Sequence, residues 1–147
     1  VFEKLKKGKF KIEEKMKIEA KVKGKKFVAL NDVNIHYRPP CALRFSVNGG
    51  KTLIGDGVVV CTPHGSRAYF HSITRKSFKK GIGLAYNNTT ERMKYKIFGE
   101  NAVIKVKILR GQGWFAYDND KKILPIREED VITIRKHRKP ARIIKFR

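Results

Sequence analysis

The stretch Gly55–Ser72, GDGVVVCTPHGSRAYFHS, decides how we interpret the rest of the chain. Val58–Val60 is a short β-branched run between turn signals, a pattern typical of a buried strand. Pro63 cannot donate a backbone hydrogen bond, so we predict that this strand ends near Thr62. The residues Arg67–Ser72 are predicted to form the first turns of a helix.

A strand, a turn rich in glycine and hydroxyl groups, and a helix start can together present backbone N–H groups to an anionic ligand. The same arrangement also occurs as an ordinary connection between a strand and a helix. Because the stretch satisfies no motif rule for phosphate binding, its pattern alone leaves both interpretations open.

The size and composition of the chain are those of one folded domain. It has 147 residues, of which 41% are hydrophobic and 33% charged, so we expect a globular protein rather than a disordered one. There is no apolar run of membrane-spanning length. Two cysteines do not form a disulfide framework, and the histidines lack metal-ligand spacing. We therefore expect no metal site, no membrane partner and a reduced, cytoplasmic setting.

The formal net charge of +22 predicts attraction to polyanions such as nucleic acid or nucleotides. The lysines are spread along the chain, and no nucleic-acid motif is present. Only 13 acidic residues are available, so ion pairing does not account for the excess of positive charge.

Most of the remaining chain has the alternating pattern of β-strands, with turns at glycine and asparagine. We predict a hairpin around Gly24 and a second one around Asn48, and an antiparallel meander over the last third of the chain. The predicted strands are Lys9–Lys23, Phe27–Ile35, Leu43–Val47, Thr52–Ile54, Lys94–Phe98, Ala102–Leu109, Trp114–Tyr117, Val131–Ile134 and Ala141–Phe146.

The central stretch resembles the substrate-binding domain of the NAD kinase family. That family has D-G, three apolar residues, T-P, then G-S-T-A-Y and a nearby serine, and the spacing is the same here. One position departs, because Arg67 replaces the family's threonine. The residues that carry the resemblance are Asp56, Gly57, Val58–Val60, Thr62, Pro63, Gly65, Ser66, Arg67, Ala68, Tyr69 and Ser72.

Further segments between Leu5 and Lys145 resemble the same family. Asn31-Asp32 matches its asparagine–glutamate pair with a shorter acid, and Asp118–Asp120 matches an aspartate turn in which Asp120 replaces the usual glutamine. The resemblance implies that the site residues for NAD or NADP are Asn31, Asp32, Asp56, His64, Ser66, Arg67, Ala68, Tyr69, Ser72 and Asp120.

The resemblance also implies a mainly β, antiparallel sandwich-like domain with one or two short helices, as in the C-terminal domain of NAD kinases. Residues 1–8 would then be a linker from an N-terminal α/β domain, which carries the family's catalytic G-G-D-G motif. No G-G-D-G occurs here, so we expect no catalytic residue in this chain and no activity from it alone.

The implied reaction is phosphoryl transfer from ATP or polyphosphate to the ribose 2′-hydroxyl of NAD, with a divalent cation such as Mg²⁺. A homo-oligomer is also implied. Two alternatives stay open: a diverged dinucleotide-binding module without catalysis, and a basic nucleic-acid-binding β-protein. The last would use aromatic side chains for stacking. The candidates are Tyr37, Phe45, Tyr69, Tyr86 and Trp114.

Overall fold

The computed structural model describes all 147 residues and shows two antiparallel six-stranded sheets packed face to face, with a separate two-stranded ribbon. The helices are α1 (Phe2–Lys6) and α2 (Tyr69–Thr74), and a short 3-10 turn covers Gly65–Arg67. The strands are β1 (Phe10–Lys15), β2 (Ile18–Val22), β3 (Lys25–Ala29), β4 (Asp32–Tyr37), β5 (Leu43–Val47), β6 (Leu53–Gly55), β7 (Gly57–Cys61), β8 (Ile82–Asn87), β9 (Tyr95–Phe98), β10 (Ile104–Arg110), β11 (Gln112–Tyr117), β12 (Leu124–Arg127), β13 (Val131–Lys136) and β14 (Ala141–Phe146).

Sheet I has the strand order β3-β2-β13-β10-β5-β6, and sheet II has the order β12-β11-β4-β7-β8-β9. The core lies between them, because alternate residues of each strand point inward and are apolar. Phe45 from sheet I and Phe115 from sheet II are among its largest fully buried side chains. The expected mainly β sandwich-like fold is therefore confirmed.

Several predicted elements are confirmed with small shifts at their ends. The valine run lies in β7, which ends at Cys61 next to the predicted Thr62. The hairpin around Gly24 joins β2 to β3, and the one around Asn48 joins β5 to β6. The strand predicted at Ala141–Phe146 is β14, with those bounds.

Two long predicted strands are each divided in the structure. The segment Phe27–Ile35 becomes β3 in sheet I and β4 in sheet II. The break falls where the carboxylate of Asp118 accepts hydrogen bonds from the backbone N–H groups of residues 30 to 32, which removes them from any ladder. The segment Lys9–Lys23 divides into β1, which pairs with β14, and β2, which pairs with β3 and β13.

The predicted meander over the last third of the chain is wrong. β10 belongs to sheet I, whereas the next strand, β11, belongs to sheet II. Gly111 lies between them with φ +100°, a conformation that side chains rarely adopt, and it lets the chain pass from one sheet to the other. The prediction also missed β8 and β12.

The helix predicted to start at Arg67 begins instead at Tyr69, because Gly65–Arg67 form a 3-10 turn. α2 packs on the outer face of sheet II, where Phe70 joins Val59, Cys61 and Ala85 in a small second core. None of the helices has both the length and the apolar character needed to cross a bilayer.

Candidate functional site

A cavity of about 540 Å³ lies on the outer face of sheet II beside α2. Its lining comes from the start of β4, the entry to α2, and the end of β11 with the turn that follows. The lining residues are Asn31, Asp32, Asn34, Ala68, Tyr69, Ala116, Tyr117, Asp118, Asn119, Asp120 and Ile123.

Asp118 fixes the turn that carries Asn31 and Asp32 into the cavity. Its carboxylate accepts hydrogen bonds from the N–H groups of Leu30 at 2.6 Å, Asn31 at 2.7 Å and Asp32 at 3.2 Å. In return, the N–H of Asp118 donates to the carbonyl oxygen of Asp32 at 3.0 Å. Asp118 and Asn119 both have positive φ, which short polar side chains tolerate better than most.

The Thr62–Gly65 turn is joined to the same place from the other side. The Thr62 hydroxyl donates to the carbonyl oxygen of Leu30 at 2.6 Å and accepts from the N–H of Gly65 at 3.0 Å. A Cβ atom on Gly65 would lie 2.1 Å from the carbonyl oxygen of Asn31, so only glycine permits this contact. The two segments that resemble NAD kinases therefore pack directly against each other.

Ser66 and Tyr69 support the entry to α2. The Ser66 hydroxyl donates to the carbonyl oxygen of Pro63 at 2.8 Å and accepts from the N–H of Phe78 at 3.2 Å, and the side chain is fully buried. Tyr69 lines the cavity, and its hydroxyl accepts a hydrogen bond of 3.0 Å from the side-chain amide of Asn87. Ser66 therefore holds the turn, while Tyr69 faces the space beside it.

The electrostatics of the cavity disfavour the charged form of Asp32. Burial, and to a lesser extent the negative charge of Asp118, together raise the pKa of Asp32 from its ordinary value of 3.8 to about 6. Burial, with a smaller contribution from Asp32, also raises the pKa of the Cys61 thiol, which therefore stays protonated. Asn34 contributes a different feature, because its side-chain oxygen is buried without a hydrogen-bond partner.

The cavity brings together half of the predicted site residues. Five of them line it: Asn31, Asp32, Ala68, Tyr69 and Asp120. The other five do not line it: Asp56, His64, Ser66, Arg67 and Ser72.

Each of the five residues outside the cavity has a clear position. Asp56 precedes β7, and its carboxylate accepts a hydrogen bond of 3.3 Å from the Asn88 amide. The N–H of Asp56 donates to the carbonyl oxygen of Asn87, whose side-chain amide donates to the Tyr69 hydroxyl, so Asn87 lies between Asp56 and the cavity lining. His64 and Arg67 are exposed ahead of α2, and Ser72 is exposed within it.

Sequence reasoning did not name six of the lining residues as site residues: Asn34, Ala116, Tyr117, Asp118, Asn119 and Ile123. A signal for Asn34 exists, because Asp32 and Asn34 alternate along one strand with the inward-facing apolar residues Val33 and Ile35. Side chains of the metal-ligating types nowhere form a group of three that could hold a metal ion.

Two solved structures share this fold over nearly the whole chain. Yeast NADH kinase, complexed with NADH, matches with a TM-score of 0.83 and 19% identity, over 99% of this chain and 48% of that one. An NAD kinase from Archaeoglobus fulgidus, in complex with ATP, matches with a TM-score of 0.74 and 19% identity, over 92% of this chain and 56% of that one. The fold is that of the β-rich C-terminal domain of NAD kinases.

Sequence similarity supports the same relationship. A curated NAD kinase from Sulfurisphaera tokodaii is 31% identical over 154 residues, an alignment that covers 97% of this chain and 62% of the relative. No family model matches the chain. The resemblance to the NAD kinase family is confirmed, and the chain is related to it over nearly its whole length. The chain spans only about half to three fifths of the proteins it matches.

Proposed function

We propose that the cavity beside α2 binds the dinucleotide NAD or NADP and that the chain is the substrate-binding part of an NAD kinase. The observation that carries this proposal is the meeting of two distant segments in one cavity. Asn31-Asp32 and Ala68-Tyr69 are the segments for which the family resemblance implies dinucleotide contacts, and both line it. The named ligands of the solved relatives, NADH and ATP, are of the same chemical class.

The cavity has the chemistry that such a ligand needs. Its volume of about 540 Å³ lies within the range of small-molecule sites, about 300–1,000 Å³. The side chains of Asp32 and Asp120 supply oxygen atoms for ribose hydroxyl groups. The amide groups of Asn31 and Asn34 pair with the edge of a planar base, and the Tyr69 ring offers a flat apolar wall.

The proposed reaction is phosphoryl transfer from ATP or polyphosphate to the ribose 2′-hydroxyl. In this proposal the general base and the donor site belong to an α/β domain with the G-G-D-G motif, joined ahead of residues 1–8. A general base must lie within hydrogen-bond reach of the proton it removes, so this chain binds and orients the substrate while the other domain supplies the base. Mg²⁺ would accompany the phosphates, and assembly into a homo-oligomer belongs to the same proposal.

Binding is tested by filling the cavity. Ala68 lines the cavity, is exposed and precedes α2, so Ala68→Trp adds bulk there without disturbing the core. We expect calorimetry to show at least tenfold weaker NAD and NADP binding. His71→Trp is the matched control, since His71 is exposed in α2 and does not line the cavity. Equal affinity for both variants would contradict the proposed site.

Catalysis is tested separately by restoring the other domain. The chain alone, with NAD and either ATP or polyphosphate, is expected to give no NADP. A chimera that places the α/β domain of the Sulfurisphaera tokodaii kinase before Val1 is expected to give turnover. Turnover by the chain alone would contradict the assignment of the general base to the other domain. A chimera that binds NAD but stays inactive would favour a binding module without catalysis.

A further inference from the structure

The outer face of sheet I is covered with positive charge. The inward-facing residues of its strands are the apolar core residues, so the alternate residues point outward. On five adjacent strands, β3-β2-β13-β10-β5, these outward positions include seven cations. We call them the basic face: Lys21, Lys26, Arg44, Lys105, Lys107, Arg110 and Arg135. All but Lys107, which is half-buried, are exposed.

The register places like charges directly opposite each other. Lys21 is the cross-strand partner of Lys26, and Arg44 is the partner of Arg110. Like charges in directly opposed positions of a sheet destabilise it. A sequence that keeps two such pairs on one face departs from the rule for stability, and departures of this kind occur where a surface has a function.

Few carboxylates neutralise this face. One of the carboxylates is Glu19, a buried residue of β2. Arg135 donates a hydrogen bond to it at 2.7 Å, and the His137 ring lies 2.8 Å from it. Lys107 pairs with Glu129 at 3.0 Å. By contrast, Lys21, Arg44, Lys105 and Arg110 have no carboxylate within 4.0 Å.

The dimensions and chemistry of the face select among polyanions. Five strands at about 4.8 Å spacing extend roughly 19 Å, which exceeds the width of about 12 Å of a DNA major groove. The face therefore reaches phosphates on both strands of a duplex. Single-stranded nucleic acid is held mainly by stacking on aromatic rings, and the outward positions of these five strands carry none. Of the aromatic residues suggested for stacking, Phe45 is fully buried in the core.

We propose that the basic face of sheet I binds the phosphate backbone of double-stranded nucleic acid without sequence specificity. Lysine and arginine contacts to phosphates release bound counterions, and this release drives the association. A depression of about 740 Å³, whose lining includes the cations Lys26, Arg135, Lys136 and Arg138 beside the single acid Glu19, extends the same positive surface. The face lies on the opposite side of the sandwich from the dinucleotide cavity, so this binding goes beyond the proposed kinase function and does not depend on it.

The test compares two triple variants with the same loss of charge. The variant Lys21→Gln, Arg44→Gln, Lys105→Gln removes unpaired cations of the basic face. The control is Lys76→Gln, Lys79→Gln, Lys80→Gln, whose residues are exposed in the segment between α2 and β8. Fluorescence anisotropy with a labelled DNA duplex is measured over a series of salt concentrations, and thermal melts check that each variant is folded.

We expect the face variant to bind the duplex at least tenfold more weakly and to lose about 2.7 units from the slope of log K against log salt, since each phosphate contact contributes about 0.9. The control should keep most of its affinity for the duplex and most of its salt slope. If the triple variant melts early, the single variants Lys21→Gln and Lys105→Gln are each expected to lose about one unit of slope. Equal losses in the face variant and the control would overturn the proposal. Tighter binding of single-stranded DNA or of inorganic polyphosphate than of the duplex would overturn the assigned partner.

Discussion

Asp32→Asn tests the physical account of the dinucleotide cavity most directly. Burial and the charge of Asp118 raise the pKa of Asp32 from 3.8 to about 6. A shift of one unit corresponds to about 1.36 kcal/mol, so two units correspond to about 3 kcal/mol between the charged and neutral forms. Asparagine has nearly the same shape as the neutral acid and remains neutral at every pH.

The sign of the effect follows from linkage between protonation and folding. Below pH 3.8 the Asp32 carboxyl is protonated in both the folded and unfolded states, and its contribution to stability is fully present. As pH rises from 3.8 through 6, the unfolded chain releases this proton first, and the contribution is lost. Above pH 6 the folded state holds a charged carboxylate in a partly buried site, at a cost of up to about 3 kcal/mol.

Urea unfolding of the wild type and the variant between pH 4 and pH 8 measures this effect. We expect nearly equal stability at pH 4 and a more stable Asp32→Asn variant at pH 8, by up to about 3 kcal/mol. Comparing the two proteins cancels the other titrating groups, including Glu19, whose pKa is lowered to about 2, chiefly by its hydrogen bond to His137. Asp120→Asn is the control, because Asp120 is exposed in the turn that follows β11. Its stability relative to the wild type should not change between pH 4 and pH 8. A difference between wild type and Asp32→Asn that stays constant with pH would refute the reasoning.

Four further substitutions probe the packing around the two sheets by thermal or chemical unfolding. Gly65→Ala should destabilise the chain by about 2 kcal/mol or more, because its Cβ would clash with backbone, whereas Gly99→Ala, with open space around it, should change little. Asp118→Ala removes three hydrogen bonds to a charged group and should cost at least about 3 kcal/mol; a smaller loss would mean that water replaces them. Asn34→Leu removes a buried oxygen without a partner and should stabilise the chain by about 1 kcal/mol while weakening NAD binding; unchanged NAD affinity would exclude it from the site. Glu19→Gln keeps an oxygen that can accept from Arg135 but removes the negative charge of the pair, and should cost about 1 kcal/mol; no loss would show that the charge of Glu19 does not contribute to stability.

Local sequence signals predicted the elements that depend on neighbouring residues. β7 was predicted because three consecutive valines between turn residues have few alternatives to a buried strand. The β5–β6 hairpin was predicted because Asn48 and the glycines after it satisfy a tight turn, and Asn48 does have positive φ. In both cases the deciding interactions lie within a few residues along the chain.

The elements that the sequence did not predict depend on partners that are distant along the chain. The break between β3 and β4 is fixed by Asp118, whose hydrogen bond to the Leu30 N–H spans 88 residues. The assignment of β10 and β11 to different sheets rests on pairing with β5 and β4, which alternation within each strand does not specify. Pairing between distant segments also determines the lining of the cavity, because Asn34 joins the cavity only when β11 lies beside β4.

The pKa of Asp32 depends on its immediate surroundings in the cavity more than on the net charge of the chain. A charge of +22 favours the ionised form of any carboxyl group and should lower its pKa. The pKa of Asp32 is nevertheless raised, and the causes are its own burial and the neighbouring Asp118. Exposed charges beyond about 8 Å are largely screened at physiological salt, so the lysines of the distant sheet I act weakly inside the cavity. The surface charge therefore attracts anions from solution to the outer face of sheet I, while burial and local carboxylates on sheet II set the protonation of the group that would meet a dinucleotide.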